Sequence, residues 1–255
     1  MAMLNDIIDK LNQRFRTRNN SDYNEETGIT YDAGKDIKKI GYCTNLTPEV
    51  VNKANELNVD LILTHHDAWH FIYGLKEECM ELLKKYGISH YFNHSPLDDC
   101  EFGTNNSLAK ELGLTKLKKV STQDGYSYGV IGEFDKAISH GELRARFQDT
   151  LKENSLSWKF HNKKIKRAFI LCGAGHLTSD MKEAVEENCD VYITGEKILY
   201  TVQYAKIHNI NVLVGSHTFT ELPGVKSMAE IVVENNRELD MVLIKEDHLE
   251  TAGML

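Results

Sequence analysis

The chain has few residues that break or staple a fold: three prolines in 255 residues, and five cysteines with no C-x-x-C pair among them. Cys43, Cys79, Cys100, Cys172 and Cys189 are scattered and odd in number, which excludes a disulfide framework and a zinc ribbon and predicts the reduced thiols of a cytoplasmic protein. No apolar run approaches the roughly 20 residues that span a membrane. The opening MAMLNDIIDKLNQRF reads as an amphipathic helix, too acidic and polar for a signal peptide. Basic residues are outnumbered, 30 Lys and Arg against 38 Asp and Glu, and a net charge of −8 argues against nucleic acid as the main partner. There is no Gly-x-Ser-x-Gly and no Walker lysine, so serine hydrolases and P-loop enzymes drop out. Nor is there a Pro/Gly/Ser-rich linker, so any two halves should pack closely.

What is present is a regular alternation of strand and helix patterns. Residues 1–18 carry Leu4, Ile7, Ile8, Leu11 and Phe15 at helical spacing, and the polar stretch 17–35 reads as a loop. A strand is expected over Ile37–Thr44. Thr47 as N-cap and Pro48 at the first helical position announce a helix to about Leu57. The branched run Leu61-Ile62-Leu63 reads as a strand buried on both faces and ends in Thr64, His65 and His66. A helix over Leu75–Tyr86 and a strand over Ile88–Phe92 complete βαβαβ, which implies parallel pairing.

Downstream, the pattern predicts a helix over Thr104–Leu114, a strand over Gly125–Phe134, a helix over Ser139–Glu153 and a strand over Ile165–Cys172. The last enters the glycine turn Gly173-Ala174-Gly175. After a helix near Ser179 come a strand at Val191–Thr194, a helix at Ile198–His208 and a strand at Ile210–Val214. A last helix over Val225–Asn235 and a strand over Met241–Ile244 close the chain. The fold class expected is α/β, in two pseudo-symmetric halves, residues 1–116 and 117–255, with mainly parallel sheets and a site at strand C-terminal ends between them.

An internal echo supports the two halves. VVNKANELNVDLILTHH (Val50–His66) aligns with DMKEAVEENCDVYITGE (Asp180–Glu196) in its helix, its Asn-x-Asp junction, its apolar strand and its Thr exit. Further on, each half has a strand that runs out into a histidine followed four residues later by a carboxylate: His94 with Asp98, and His217 with Glu221.

The strand-end residues together are His65, His66, Asp98, His217 and Glu221, with His94 close by. Three imidazoles and two carboxylates exceed the needs of one tetrahedral zinc and could hold two divalent ions with one carboxylate bridging. With no cysteine in the set, zinc, manganese, iron, cobalt and nickel all suit it. Two such ions make hydrolysis the default reaction class. Glu196 and His94 are the candidates for catalytic acid–base work. His70 reads as a surface histidine, and Gly173–Gly175 as a phosphate cradle or, equally well, a tight strand-to-helix turn.

LTHHDAWHF, HSPLD followed by GTNNSLAKELGL, VYITGE, and GSHTFTELPGVKSMAE resemble, in order and spacing, the motifs of the Nif-three-like dinuclear-metal-centre family, also catalogued as GTP cyclohydrolase 1 type 2. The resemblance runs from the first strand to the final helix. It implies metal ligands at His65, His66, Asp98, His217 and Glu221, with Glu221 bridging. It also implies a ring-shaped homohexamer, a compact chain without the inserted domain of longer members, and a GTP cyclohydrolase-like activity. The chain departs from the family pattern at Asp67-Ala68-Trp69, at Ser95-Pro96 and at Tyr200-Thr201. The expected protein is therefore a cytoplasmic dinuclear metallohydrolase acting on a small nucleotide-like or phosphate-bearing substrate. The alternative is a non-catalytic metal-handling or regulatory scaffold.

Overall fold

The computed structural model describes residues 3–15, 26–120, 129–234 and 236–251. In chain order the first elements are α1 (Leu4–Asn12), β1 (Thr27–Tyr31), β2 (Lys39–Tyr42), α2 (Pro48–Glu56), β3 (Leu61–Thr64), α3 (Leu75–Tyr86), β4 (Ser89–Asn93) and α4 (Ser95–Asp99). There follow α5 (Thr104–Glu111), β5 (Thr115–Val120), β6 (Gly129–Ile138), α6 (His140–Leu151), β7 (Leu156–Trp158), β8 (Ile165–Leu171), α7 (Thr178–Glu186) and β9 (Val191–Thr194). The last elements are α8 (Leu199–His208), β10 (Asn211–Val214), α9 (His217–Glu234) and β11 (Asp240–Leu243). Two compact units result: Met1–Gly103 with Gly224–Asp247, and Thr104–Pro223 with His248–Leu255. Among the described residues, no helix is long and apolar enough to cross a membrane.

The first unit is built on a five-stranded sheet of order β1-β4-β3-β2-β11. Strands β4, β3, β2 and β11 run parallel, and β1 closes the edge antiparallel to β4. All four residues of β3 are buried, as its unbroken apolar run requires. Helix α2 starts where Thr47 accepts a hydrogen bond from the Val50 N–H and Pro48 supplies a preset φ. Helix α3 stops at Gly87 in the left-handed conformation. Val50, Val51 and Ala54 of α2 and Cys79 and Leu83 of α3 pack in one cluster with Ile62 and Ile244. Strand β1 lies in the stretch read as loop; Thr27, Ile29 and Tyr31 alternate as strand residues do, but five half-exposed edge residues leave a faint pattern. Residues 17–25 of that stretch lie outside the described set.

The second unit holds a six-stranded sheet of order β5-β6-β8-β9-β10-β7. Only β8, β9 and β10 pair in parallel; β5 with β6, β6 with β8, and β10 with β7 are antiparallel. The expectation of mainly parallel sheets thus holds for the first sheet and fails for the second. The added strands β5 and β7 are edge strands, and their sequences TKLKKV and LSW carry too little apolar alternation to announce themselves. Of the expected strand over 125–134, residues 125–128 lie outside the described set. The core strands are buried on both faces: Ala168, Ile170 and Ile193 pack with Leu143 and Phe147 of α6, while Phe169, Leu171 and Tyr192 pack with Met181 of α7 and Ala205 of α8.

The sequence echo has a structural counterpart within each unit. Asn58 and Asn188 both take left-handed φ, +54° and +56°, at the helix-to-strand joint. Two residues on, Asp60 accepts from the backbone N–H groups of Lys38 and Lys39, and Asp190 from those of Lys166 and Arg167, at 2.8–3.0 Å. Each carboxylate registers its own strand against the neighbouring one.

Candidate metal centre

In the first unit, His65 and His66 follow β3 directly and are almost fully buried. Both backbone N–H groups donate to the Thr44 carbonyl, at 3.1 and 2.9 Å, and the Thr64 hydroxyl donates to the His66 carbonyl at 2.7 Å. The strand therefore breaks here, and adjacent histidines reach one place instead of opposite faces. Their ring centroids are 4.6 Å apart.

Hydrogen bonding fixes the tautomer of each ring. His65 Nδ1 lies 2.9 Å from the Asn93 carbonyl, which can only accept, so Nδ1 carries a proton and, in the neutral ring, Nε2 keeps the lone pair. His66 Nδ1 lies 2.7 Å from Asn45 Oδ1, while Asn45 Nδ2 donates to Glu246 at 2.7 Å. The Glu246 carboxylate thereby sets the Asn45 amide with its oxygen toward His66, and His66 too is left with a lone pair on Nε2. A metal-binding imidazole has this arrangement, its far nitrogen held by an oxygen.

His94, just past β4, completes the cluster: one ring nitrogen each from His65, His66 and His94 lies within 4.8 Å of the others. His94 Nδ1 is bonded to Glu26, whose carboxyl is held below its usual range by that hydrogen bond first, against the opposing effect of burial. Asp98 lies on the short helix α4, with Oδ1 3.5 Å from His65 Nε2. Beside the cluster is a cavity of about 670 Å³, whose wall includes His66, His94, Trp69, Phe92, Asp67 and Lys76. Asp67 and Lys76 are paired at 3.0 Å, and Trp69 stands 4.6 Å from the His66 ring. His70 is exposed. Cys100 is buried with its Sγ on the Leu97 carbonyl, and all five cysteines are unbridged.

In the second unit, His217 and Glu221 lie on the opening turns of α9, with Nε2 3.2 Å from Oε1. The expected helix began at Val225. It begins instead at His217, because Ser216 caps it, its hydroxyl accepting from the Phe219 N–H, and Pro223 is absorbed inside. Glu196, past β9, accepts from His217 Nδ1 at 2.7 Å and lies 3.2 Å from His176 Nδ1. Burial works against the imidazolium of His217, but Glu221 and Glu196 more than offset it and push its pKa up to about 11. Gly173 makes room for the pair: at φ +62°, a Cβ there would lie 2.0 Å from Glu221 Oε1 and 2.9 Å from His217 Nε2. Gly173 is the floor under His217 and Glu221.

Each unit thus gathers its own share of the sequence-derived set, His65, His66, His94 and Asp98 in one and His217, Glu221 and Glu196 in the other. Asn45, Asn93, Glu26, His176 and Glu246 were not visible in the sequence. Asn93, next to His94, and His176, in the Gly175-His176 turn, stood beside motifs that could have drawn attention to them. Buried imidazoles with tautomers set for Nε2 donation, next to carboxylates, suit a borderline divalent ion.

A family model described as Duf34/NIF3 (NGG1p interacting factor 3) matches residues 2–248. The chain is 29% identical over 227 residues to a Pasteurella multocida protein named GTP cyclohydrolase 1 type 2 homolog, covering 86% of this chain and 89% of that one. A protein of the same name from Archaeoglobus fulgidus is 24% identical over 212 residues, covering 81% and 84%. Among solved structures, TTHA1606 from Thermus thermophilus aligns with a TM-score of 0.80 at 22% identity, covering 96% of this chain and 99% of that one. Reduced HcgD from Methanocaldococcus jannaschii aligns with a TM-score of 0.78 at 23% identity, covering 96% and 98%.

Proposed function

Because this chain belongs to the Duf34/NIF3 family, we propose that it binds two divalent metal ions and acts as a metal-dependent hydrolase on a nucleotide-like or phosphate-bearing small molecule. In this reading His65, His66 and Asp98 in the first unit, and His217 and Glu221 in the second, are the residues that would hold the ions. When bound, the ions supply Lewis acidity and an acidified water, the means of hydrolysis at neutral pH. The observation that carries the reading is the tautomer of the buried pair: His65 and His66 each spend Nδ1 on an oxygen, keeping Nε2 for a metal.

The remaining residues take supporting roles. Glu196 holds the proton on His217 Nδ1 and so presents Nε2. His94, half-exposed and backed by Glu26, is placed to pass a proton between the cavity and bulk water. The cavity walled by Trp69 and Phe92 takes the substrate, the aromatic faces suiting a planar ring. The curated relatives are named for GTP cyclohydrolase, so GTP is the first substrate to try. The protein assembles as a homohexamer, which light scattering behind a sizing column tests.

Purified protein loaded with manganese, zinc, cobalt or iron should convert some member of a nucleotide and phosphoester panel, with activity lost in His65→Ala. Tight metal binding without turnover on any member, whichever metal is loaded, would move the protein to metal storage or sensing.

A further inference from the structure

The last described stretch of the chain, 246–251, is not a loose end. In the first unit, Glu246 accepts from the Thr44 N–H at 2.6 Å, from the Asn45 N–H at 3.1 Å and from Asn45 Nδ2 at 2.7 Å. Thr44 is the residue whose carbonyl gathers the His65 and His66 N–H groups, and Asn45 sets the His66 tautomer. In the second unit, Glu250 accepts from the His217 N–H at 2.6 Å and from the Thr218 N–H at 3.1 Å, capping the helix end that carries His217. Glu153, with a side chain only 1% exposed, accepts from the Ser216 N–H and hydroxyl, from His248 Nδ1 and from the Thr251 hydroxyl. His248 stacks on Phe219 with ring centroids 4.0 Å apart.

We infer that residues 246–251 form a positioning segment for the metal ligands: Glu246 acts on His66 through Asn45, and Glu250, with Glu153 and His248, acts on His217. This rests on the metal reading above. A carboxylate that only tied down a chain end would have no reason to fix an amide that fixes an imidazole. Glu246 does so, and Glu250 supplies the same service to the helix end under His217. Each carboxylate acts through N–H groups of the backbone or of Asn45 that in turn set a ligand, so both are positioning residues.

The test is cobalt(II) titration of the full chain, read by visible absorption and by calorimetry. In Glu246→Gln one oxygen must serve the three N–H groups that the carboxylate holds, so the Asn45 amide loses its fixed orientation; turned over, it presents N–H to His66 Nδ1 and drives the His66 proton to Nε2, where it blocks the metal. Affinity should fall 10–100-fold, as for other outer-shell losses, with an altered cobalt spectrum. The double variant Glu246→Gln, Asn45→Asp restores an acceptor opposite His66 Nδ1 and should recover both affinity and spectrum. Glu250→Ala should weaken binding within the same range and Glu250→Asp less so.

Should the unaltered protein take up no cobalt, the metal reading falls and this inference with it. Should it bind cobalt while Glu246→Gln and Glu250→Ala match it in affinity and spectrum, the inference alone is overturned. Circular dichroism identifies a variant that fails to fold. Loss of binding in a folded Glu246→Gln that the Asn45→Asp change does not restore also overturns the tautomer relay.

Discussion

His217 and Glu221 stand one turn apart at the start of α9, Nε2 to Oε1 at 3.2 Å, and the carboxylates of Glu221 and Glu196 push the pKa of the ring up to about 11 against the effect of burial. Glu196 on Nδ1 and Glu221 on Nε2 leave the imidazolium carboxylate partners on both sides. A metal has to expel one of those protons.

Metal uptake should therefore release a proton at neutral pH. With the folded pKa of His217 pushed up to about 11, the ring is charged throughout the range from pH 6 to 8, so apparent affinity should rise about tenfold per pH unit from this group alone. Calorimetry in two buffers of different ionisation enthalpy measures the released protons. An identical heat in both would show that His217 is not deprotonated by the metal.

Gly173→Ala should abolish binding by the second unit's ligands, since the added Cβ would collide with Glu221 and His217. Backbone strain from left-handed φ adds about 1–2 kcal/mol of destabilisation. Gly34→Ala separates the two effects: Gly34 has φ +65° with nothing within 4 Å of its Cβ position. Both variants should melt earlier, and only Gly173→Ala should lose metal, by elemental analysis of dialysed protein.

His90 gives the fold an acid limit. It is fully buried, its Nε2 2.8 Å from the Thr64 hydroxyl, and burial pulls its pKa down to about 4 against the opposing charge of Asp67. Between pH 6.5 and 4 the unfolded chain holds more protons at this residue than the folded one, so stability rises with pH across that window. Acidification from 6.5 to 4 should cost about 3 kcal/mol from His90. Urea unfolding at pH 7 and pH 5 in the native chain and in His90→Gln checks this; an unchanged pH slope in the variant would rule it out.

Asp60 and Asp190 should be equivalent in cost. Each holds two backbone N–H groups of its neighbouring strand, and Asp60→Ala and Asp190→Ala should each destabilise by about 2–3 kcal/mol. The double variant should show the sum, because the two sites share no partner. A large coupling energy by chemical denaturation would contradict the independence of the two joints.

The parts of the site that could be read from the sequence are those whose cause is local. Leu61-Ile62-Leu63 had to be a buried strand, and its Thr-His-His exit had to break from it. Asn58-x-Asp60 and Asn188-x-Asp190 announced a repeated joint because left-handed asparagine and a registering aspartate act within a few residues. The start of α9 is set by the cap at Ser216 and by a carboxylate at Glu250, the second of them more than thirty residues away in the chain. Strand β5 was hidden by its lysines, residues that suit an edge strand facing water. Asn45, Glu246 and Glu26 were invisible for a plainer reason: each serves its histidine from far away along the chain, and no spacing rule reaches that distance.

The placement of β11 bears on how the chain is made. Thr44 and Glu246 are bonded although 202 residues separate them, and β11 pairs with β2, a strand that leaves the ribosome long before it. The opening sheet must then wait, one edge uncovered, until β11 has emerged, whereas every strand of the other sheet is already available once β10 is out. Ribosome-bound chains arrested after β10 should resist protease over 129–214 while 26–103 is still cut. The sheet whose strands are synthesised first is thus the one completed last.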